Sequence, residues 1–280
     1  AFPEEAVALL HGGATEEYRY TKLVICTTHQ LLRFYQAFDL LIIDEVDAFP
    51  YAGELLLHTG VRNALKQKAS LIYLTATPTK SLRRLIQRKE LQLLLLPARY
   101  HRRLLPVPKL RWSAKWRESV NAGRLPKGLF KLVTRLMVQN DVLLFCPTIA
   151  VLQHVHLLFA QALPCTSMAA VHSRDQRREE KVRGMRSKRF RLFLTSTILE
   201  RGVTFDQVSV IVLGAEHRVF TESALVQIAG RVDRRPTTTH GEVWFVHSGR
   251  SRAMKRSIAQ IQEMNRSARN KGLIDEMPAL

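Results

Sequence analysis

Short runs of large aliphatic residues recur along this chain, and each closes on a cluster of hydroxyl, acidic or amide residues. Leu23–Cys26 ends in Thr27-Thr28, Leu40–Ile43 in Asp44-Glu45-Val46-Asp47, and Leu71–Leu74 in Thr75-Ala76-Thr77-Pro78. Further on, Val142–Cys146 ends in Pro147-Thr148, and Leu192–Leu194 in Thr195-Ser196-Thr197; Val208–Leu213 and Val243–Val246 are two more runs. Continuous apolar runs of this length, bounded by turn residues, read as strands buried on both faces of a parallel sheet, and Leu40–Ile43 is the clearest. Between them, apolar positions fall at helical spacing over residues 53–67, 79–89, 127–139, 174–191, 221–230 and 252–271, and after Thr148. Residues 4–10 read as the end of a helix. Thr28, Thr148 and Ser173 stand where helix N-caps belong. Strands alternating with helices predict βαβ units and an α/β fold with parallel sheets.

Residues 97–126 break the rhythm. Pro97, Pro106, Pro108 and Pro126 punctuate a stretch whose residues 98–125 carry eight Lys/Arg and a single Glu, with Trp112 and Trp116 among them. Such a segment predicts an extended connector or an edge hairpin, with the two tryptophans packed at a seam between domains. The 280 residues therefore divide into a first α/β domain over 1–97, a basic connector over 98–126 and a second α/β domain over 127–280.

Charge sharpens the picture. The formal net charge is +19, yet residues 1–97 hold 11 Lys/Arg against 10 Asp/Glu while residues 98–280 hold 32 against 14. A solvated surface does not need that asymmetry, whereas a track for a polyanion does. The stretch 172–191 alone carries nine Lys/Arg against three acids. Cys26, Cys146 and Cys165 form no CxxC pair and read as ordinary thiols of a reducing compartment. No run is long and apolar enough to span a bilayer and no signal peptide is seen, so a cytoplasmic protein is expected. The chain begins with Ala, at what looks like an element already under way, so a piece of a longer protein is expected.

Three carboxylates within four residues repel one another unless cations arrive. At the C-terminal edge of a buried strand, where open α/β sheets take their ligands, Asp44, Glu45 and Asp47 suit a Mg²⁺–nucleotide complex. In the second half, Gln227, Gly230, Arg231 and Arg234 follow a helix, and the three-residue spacing sets both arginines on one side of its end.

Taken in order, these strand-end clusters resemble motifs Ib, II, III, IV, V and VI of superfamily 2 helicases and translocases, whose core is two RecA-like parallel-sheet domains. The segments TTHQLLRF, FDLLIIDEVDAFPY, LTATP, TSTILERGVTF and QIAGRVDRR narrow the likeness to the late-competence ComFA family. That resemblance implies an ATP-driven single-stranded DNA translocase acting in DNA uptake, at the cytoplasmic face of the membrane with the competence uptake machinery. A homo-oligomer is compatible with it. Asp44 would organise Mg²⁺ through its water shell, with Glu45 beside it activating the attacking water, and Asp47 would couple to Thr75 or to motif VI. Arg231 and Arg234 would act as arginine fingers. Gln227, Gly202, Gly230, Thr75 and Thr77 would line the ATP site. Thr28, His29, Thr148, Ser173, Thr195 and Ser196 would hold DNA phosphates without reading bases. Many relatives carry Asp two residues after the motif V glycine; here Thr204 stands there.

No G-x-x-x-x-G-K-[ST] loop occurs in the 280 residues, nor does the family's cysteine-rich zinc site. ATP turnover is accordingly expected of the full-length protein, and little of this chain by itself. A non-catalytic DNA-binding module that keeps the fold, and a duplex-unwinding helicase of the primosomal or recombination type, are the alternatives.

Overall fold

The computed structural model describes residues 4–12, 20–196, 207–232 and 241–275, and the chain divides into two compact units, residues 1–93 and 94–280. In the first unit β1 (Val7–Leu10) pairs in parallel with β2 (Leu23–Cys26), and a 3₁₀ turn follows over Thr28–Arg33. β3 (Phe38–Ile43), α1 (Leu55–Ala64) and β4 (Leu65–Tyr73) then form one βαβ unit, with β3 and β4 parallel and Ile43 opposite Tyr73. α2 (Lys80–Gln87) follows, its N-terminus capped by the Thr79 side chain accepting from Leu82 N–H.

Three expectations change in this unit. Residues 7–10 are strand, because they pair with β2. The helix expected to run to residue 67 stops at Ala64, and the polar stretch after it joins β4, with Lys66 paired to Asp39 across the ladder at 2.7 Å. β3 is buried on one face only: Leu41 and Ile43 lie against α1 and the 3₁₀ turn, whereas Leu40 and Ile42 are 51% and 55% exposed. Val7, Leu9, Ile25, Ile72 and Leu74 are exposed as well. Alternation along each strand puts one set of side chains in the core and the other outside it.

The second unit is built on six parallel strands in the order β5-β10-β9-β6-β8-β7. It opens with β5 (Lys109–Trp112), α3 (Trp116–Asn121), α4 (Lys127–Met137), β6 (Asp141–Phe145) and α5 (Ile149–Ala162). β7 (Met168–Val171), α6 (Arg178–Arg186), β8 (Leu192–Thr195) and β9 (Val208–Leu213) follow, then α7 (Glu222–Ala229), β10 (Val243–His247) and α8 (Arg252–Asn270). α3, α4 and α5 cover one face of the sheet, and α6, α7 and α8 the other. Here β6 and β9 are buried throughout, as their aliphatic runs predict.

The basic segment expected as a connector belongs to this unit. β5 adds to the sheet edge as a parallel partner of β10, not as a hairpin. Trp116 lies in the unit's own core at 1% exposure, and Trp112 is exposed with its ring edge-on to His247. Asn265 on α8 ties the same segment down, accepting from Leu105 N–H and donating to Leu105 C=O, both at 2.8 Å. Proline spacing marks where regular hydrogen bonding is interrupted and carries no information about which body a segment joins.

Candidate functional site

Parallel pairing of β3 with β4 brings two polar strand ends side by side. Beyond the ladder, Leu74 N–H donates to Ile43 C=O at 2.8 Å and Val46 N–H to Leu74 C=O at 3.2 Å, which continues the pairing into the acidic turn. Val46 packs into the core at 4% exposure, with Glu45 and Asp47 half-buried on either side of it. Asp44 is exposed at the strand end, its Oδ1 accepting from Glu45 N–H at 2.8 Å. Glu45 occupies the left-handed region at φ +52, and its carbonyl accepts from Ala48 N–H at 2.8 Å. A non-glycine residue there costs about 1–2 kcal/mol, so the turn is held by its surroundings.

Asp47 does the holding. Its Oδ1 accepts from Thr75 Oγ1 and its Oδ2 from Thr77 Oγ1, each at 2.7 Å, and Thr77 N–H donates to Thr75 Oγ1 at 3.0 Å. Thr75, expected as a partner of Asp47, and Thr77 thus both present their hydroxyls to Asp47. This clasp joins the DEVD turn to the TAT turn. Behind it, Tyr51 is buried with its hydroxyl 3.3 Å from that of Tyr73, and its ring lies 4.3 Å from His58. Burial is the largest cause pushing the Tyr51 phenol above its ordinary range. Tyr51 thus anchors the aromatic–proline tail of the motif, while Phe49 is exposed.

Hydrogen bonds to an ionised carboxylate contribute about 1.5–3 kcal/mol. In a double-mutant cycle, Asp47→Ala and Thr75→Ala are expected to be non-additive by roughly 0.5–3 kcal/mol, read from urea unfolding of the first unit. Simple additivity would dissolve the clasp.

Elsewhere in the first unit, Thr28 opens the 3₁₀ turn but does not cap it; Thr27 holds the cap position without a side-chain bond. His29 Nε2 lies 3.9 Å from the Glu54 carboxylate. In the second unit all six strands point the same way, so their C-terminal ends share one edge of the sheet. Thr148, after β6, caps α5 by accepting from Val151 N–H at 3.2 Å and remains exposed. Ser173 is exposed and caps nothing. The turn before α6 is organised by Asp175, which accepts from Lys181 Nζ at 2.6 Å and Arg177 N–H at 3.0 Å. Thr195 is fully buried, and its hydroxyl donates to Ser196 C=O at 3.0 Å. It therefore offers no group to a phosphate, a correction to the expected role; Ser196, half-buried at the edge, stays available by position.

Gln227 sits on α7, Gly230 terminates that helix, and Arg231 follows at 2% exposure. Gly202 and Arg234 lie outside the described residues. Sequence reasoning missed Glu216, which follows β9 at the same edge. Its Oε1 accepts from Trp116 Nε1 at 2.9 Å and from Ser248 Oγ at 2.7 Å. Burial alone would raise its pKa, but the bonds from Ser248 and Trp116 outweigh it and hold the carboxyl below its usual range. The strand-end rule that singled out the other clusters applied equally to Gly214-Ala215-Glu216.

With that geometry in place, likeness to known proteins is decisive. Over 269 residues, 96% of this chain, it is 40% identical to the competence protein ComFA of Bacillus subtilis (strain 168). Over 263 residues, 94% of the chain, it is 40% identical to ComFA of Streptococcus pneumoniae. The chain is a ComFA relative. It spans 58% and 61% of the length of those two proteins. Residues 127–236 match the helicase conserved C-terminal domain. The fold is also that of Saccharomyces cerevisiae Dbp5 bound to RNA and ADP BeF3, at TM-score 0.65 and 15% identity over 94% of this chain and 68% of that one. Mycobacterium smegmatis helicase Lhr bound to ssDNA and AMP-PNP gives TM-score 0.61 at 17% identity, over 99% of this chain and 38% of that one. Its sheets are therefore RecA-like, as in these helicase structures. Among the described residues of this ComFA relative, no helix is long and apolar enough to cross a membrane, and no group of His, Cys, Asp and Glu could hold a metal by itself.

Proposed function

We propose that this chain is the motor core of an ATP-dependent single-stranded DNA translocase that drives DNA uptake in competence, with ATP turnover belonging to the full-length protein. The observation that carries the reading is the clasp of Asp47 on Thr75 and Thr77. It fixes the turn at the strand end that carries Asp44, exposed, and Glu45, half-buried. Oxygen donors alone suit Mg²⁺, which keeps several waters and demands little of the protein; Asp44 is the residue to hold its water shell. Mg²⁺ when bound neutralises charge on the terminal phosphates. Glu45 orients the attacking water and accepts its proton. Arg231 and Arg234 stabilise charge gained by the transferred phosphoryl group. Because the clasp makes the DEVD turn and the TAT turn one body, a change at the nucleotide is felt at motif III.

Thr28 and His29 in one unit, and Thr148, Ser173 and Ser196 in the other, supply phosphate contacts. The basic excess of residues 98–280 supplies the long-range attraction. The uptake machinery at the inner face of the membrane is the proposed partner.

Affinity for a labelled single-stranded oligonucleotide, followed by anisotropy, is expected to fall with salt. The slope should be about 0.7 log units per log salt for each phosphate contacted. A flat response would sink the DNA track. DNA binding by the full-length protein with no ATP turnover, in the presence or absence of single-stranded DNA, would favour the non-catalytic module, and strand separation in an unwinding assay would favour the helicase.

A further inference from the structure

The backbone that carries Arg231 is fastened from an unexpected place. α7 ends by tightening, with Gly230 N–H donating to Val226 C=O at 2.9 Å, Arg231 N–H to Ile228 C=O at 3.1 Å and Val232 N–H to Ala229 C=O at 3.3 Å. Carbonyls at a helix C-terminus have no intrahelical donor and carry partial negative charge. Here the donor is Arg99, more than 130 positions earlier in the chain. Its Nη1 donates to Val232 C=O at 2.6 Å and its Nη2 to Gly230 C=O at 3.3 Å. One guanidinium thus grips the carbonyls on both sides of Arg231, and only a rigid planar fork can reach two acceptors set apart in this way.

The stretch after Arg99 is itself immobilised. Arg102 donates to Gly272 C=O at 3.1 Å and pairs with the Asp275 carboxylate at 3.1 Å, and Asn265 holds both backbone groups of Leu105. Arg99 is half-buried beside buried Pro97. A fixed fork therefore acts on the one turn whose orientation decides where the Arg231 side chain goes.

We propose that Arg99 is a positioning residue for Arg231: by clamping the carbonyls of Gly230 and Val232 it holds the motif VI turn in its working orientation, which makes the start of the second unit part of the catalytic apparatus. This rests on the reading of Arg231 as the arginine that meets the γ-phosphate. Displacing a reacting group by about 1 Å can lower a rate by roughly 100-fold, so a residue that touches no nucleotide can still govern turnover.

Two measurements on Arg99→Ala and Arg99→Lys test it. In the 280-residue chain, hydrogen exchange over residues 226–232 is expected to rise in Arg99→Ala while β6 and β9 keep their protection. Unchanged exchange there would overturn the clamp, whatever the enzymology shows. In the full-length protein, Arg99→Ala is expected to lower kcat for ATP by about 10- to 100-fold, with KM for ATP and affinity for single-stranded DNA within about twofold. Arg99→Lys, which keeps the charge and loses the fork, should recover part of that loss. Glu45→Gln and Arg231→Ala serve as references. If both references lose turnover and Arg99→Ala keeps it, the positioning role is overturned. If both references keep turnover, the ATPase reading fails and the exchange result alone decides the clamp. Should exchange in Arg99→Ala rise across β6 and β9 as well, the same comparisons pass to Arg99→Lys.

Discussion

Glu45→Gln is expected to remove nearly all ATP turnover from the full-length protein, by about 100- to 10,000-fold, the usual contribution of a positioned general base. The amide keeps the size and shape of the side chain and loses only the charge and basicity. The turn that presents residue 45 should survive, because it is set by backbone and by neighbours: Ala48 N–H on the Glu45 carbonyl, Val46 in the core, and Asp47 on Thr75 and Thr77. Binding of a labelled single-stranded oligonucleotide should therefore match the parent. Phosphate release in the presence of single-stranded DNA is the measurement, and turnover within tenfold of the parent would take Glu45 out of the role. Glu45→Gly separates position from chemistry. It relieves the left-handed φ of +52, so the first unit should unfold at the same or higher urea while turnover is lost equally.

The largest expected effect on stability is at Trp116. Trp116→Ala should cost about 3–5 kcal/mol, the range for a buried aromatic truncated to alanine. The indole is 1% exposed and lies against Gly214, whose φ is +66 and where an added Cβ would come within 2.4 Å of Trp116 Cζ2. The site therefore combines a cavity with a lost donor, since Trp116 Nε1 is one of two groups satisfying Glu216 Oε1. Trp116→Phe fills much of the space without restoring that donor and should fall between, at about 1–3 kcal/mol. Urea unfolding of residues 94–280 checks both. A loss under about 1 kcal/mol for Trp116→Ala would mean the tryptophan is not the keystone its burial implies.

Much of this molecule was legible before any coordinate. The second sheet was readable because β6, β8, β9 and β10 lie inside it or are covered on both faces, where apolar runs without alternation are the correct signal. That rule misled at β3: Leu40–Ile43 is the same kind of run, yet among the described residues only Leu41 and Ile43 find a core. Composition reports what a strand could bury; its neighbours decide what it does bury. The stretch 65–70 carries four polar side chains and no clean period, so only its pairing with β3 makes it strand. At the candidate site, spacing identified Asp44, Glu45 and Asp47, and the resemblance offered Thr75 as a partner of Asp47. Thr77 as the second partner depended on β3–β4 register. Thr195 shows the converse failure, since a hydroxyl at a strand end looks the same in sequence whether it faces solvent or, as here, the carbonyl of the next residue. Arg99 left no trace at all, because a side chain bonding to backbone carbonyls 131 and 133 positions away depends on no residue type at the other end.

The exposed aliphatics of the first unit, Val7, Leu9, Ile25, Leu40, Ile42, Ile72 and Leu74, have a practical side for anyone who purifies this chain. Exposed aliphatic side chains on both of its two-stranded sheets invite self-association, and salting-out agents strengthen that tendency. These side chains all lie in residues 1–93, whereas residues 94–280 make up two thirds of the chain and carry nearly all of its net charge. Low protein concentration and mild detergent, rather than ammonium sulfate, are the conditions that these side chains call for.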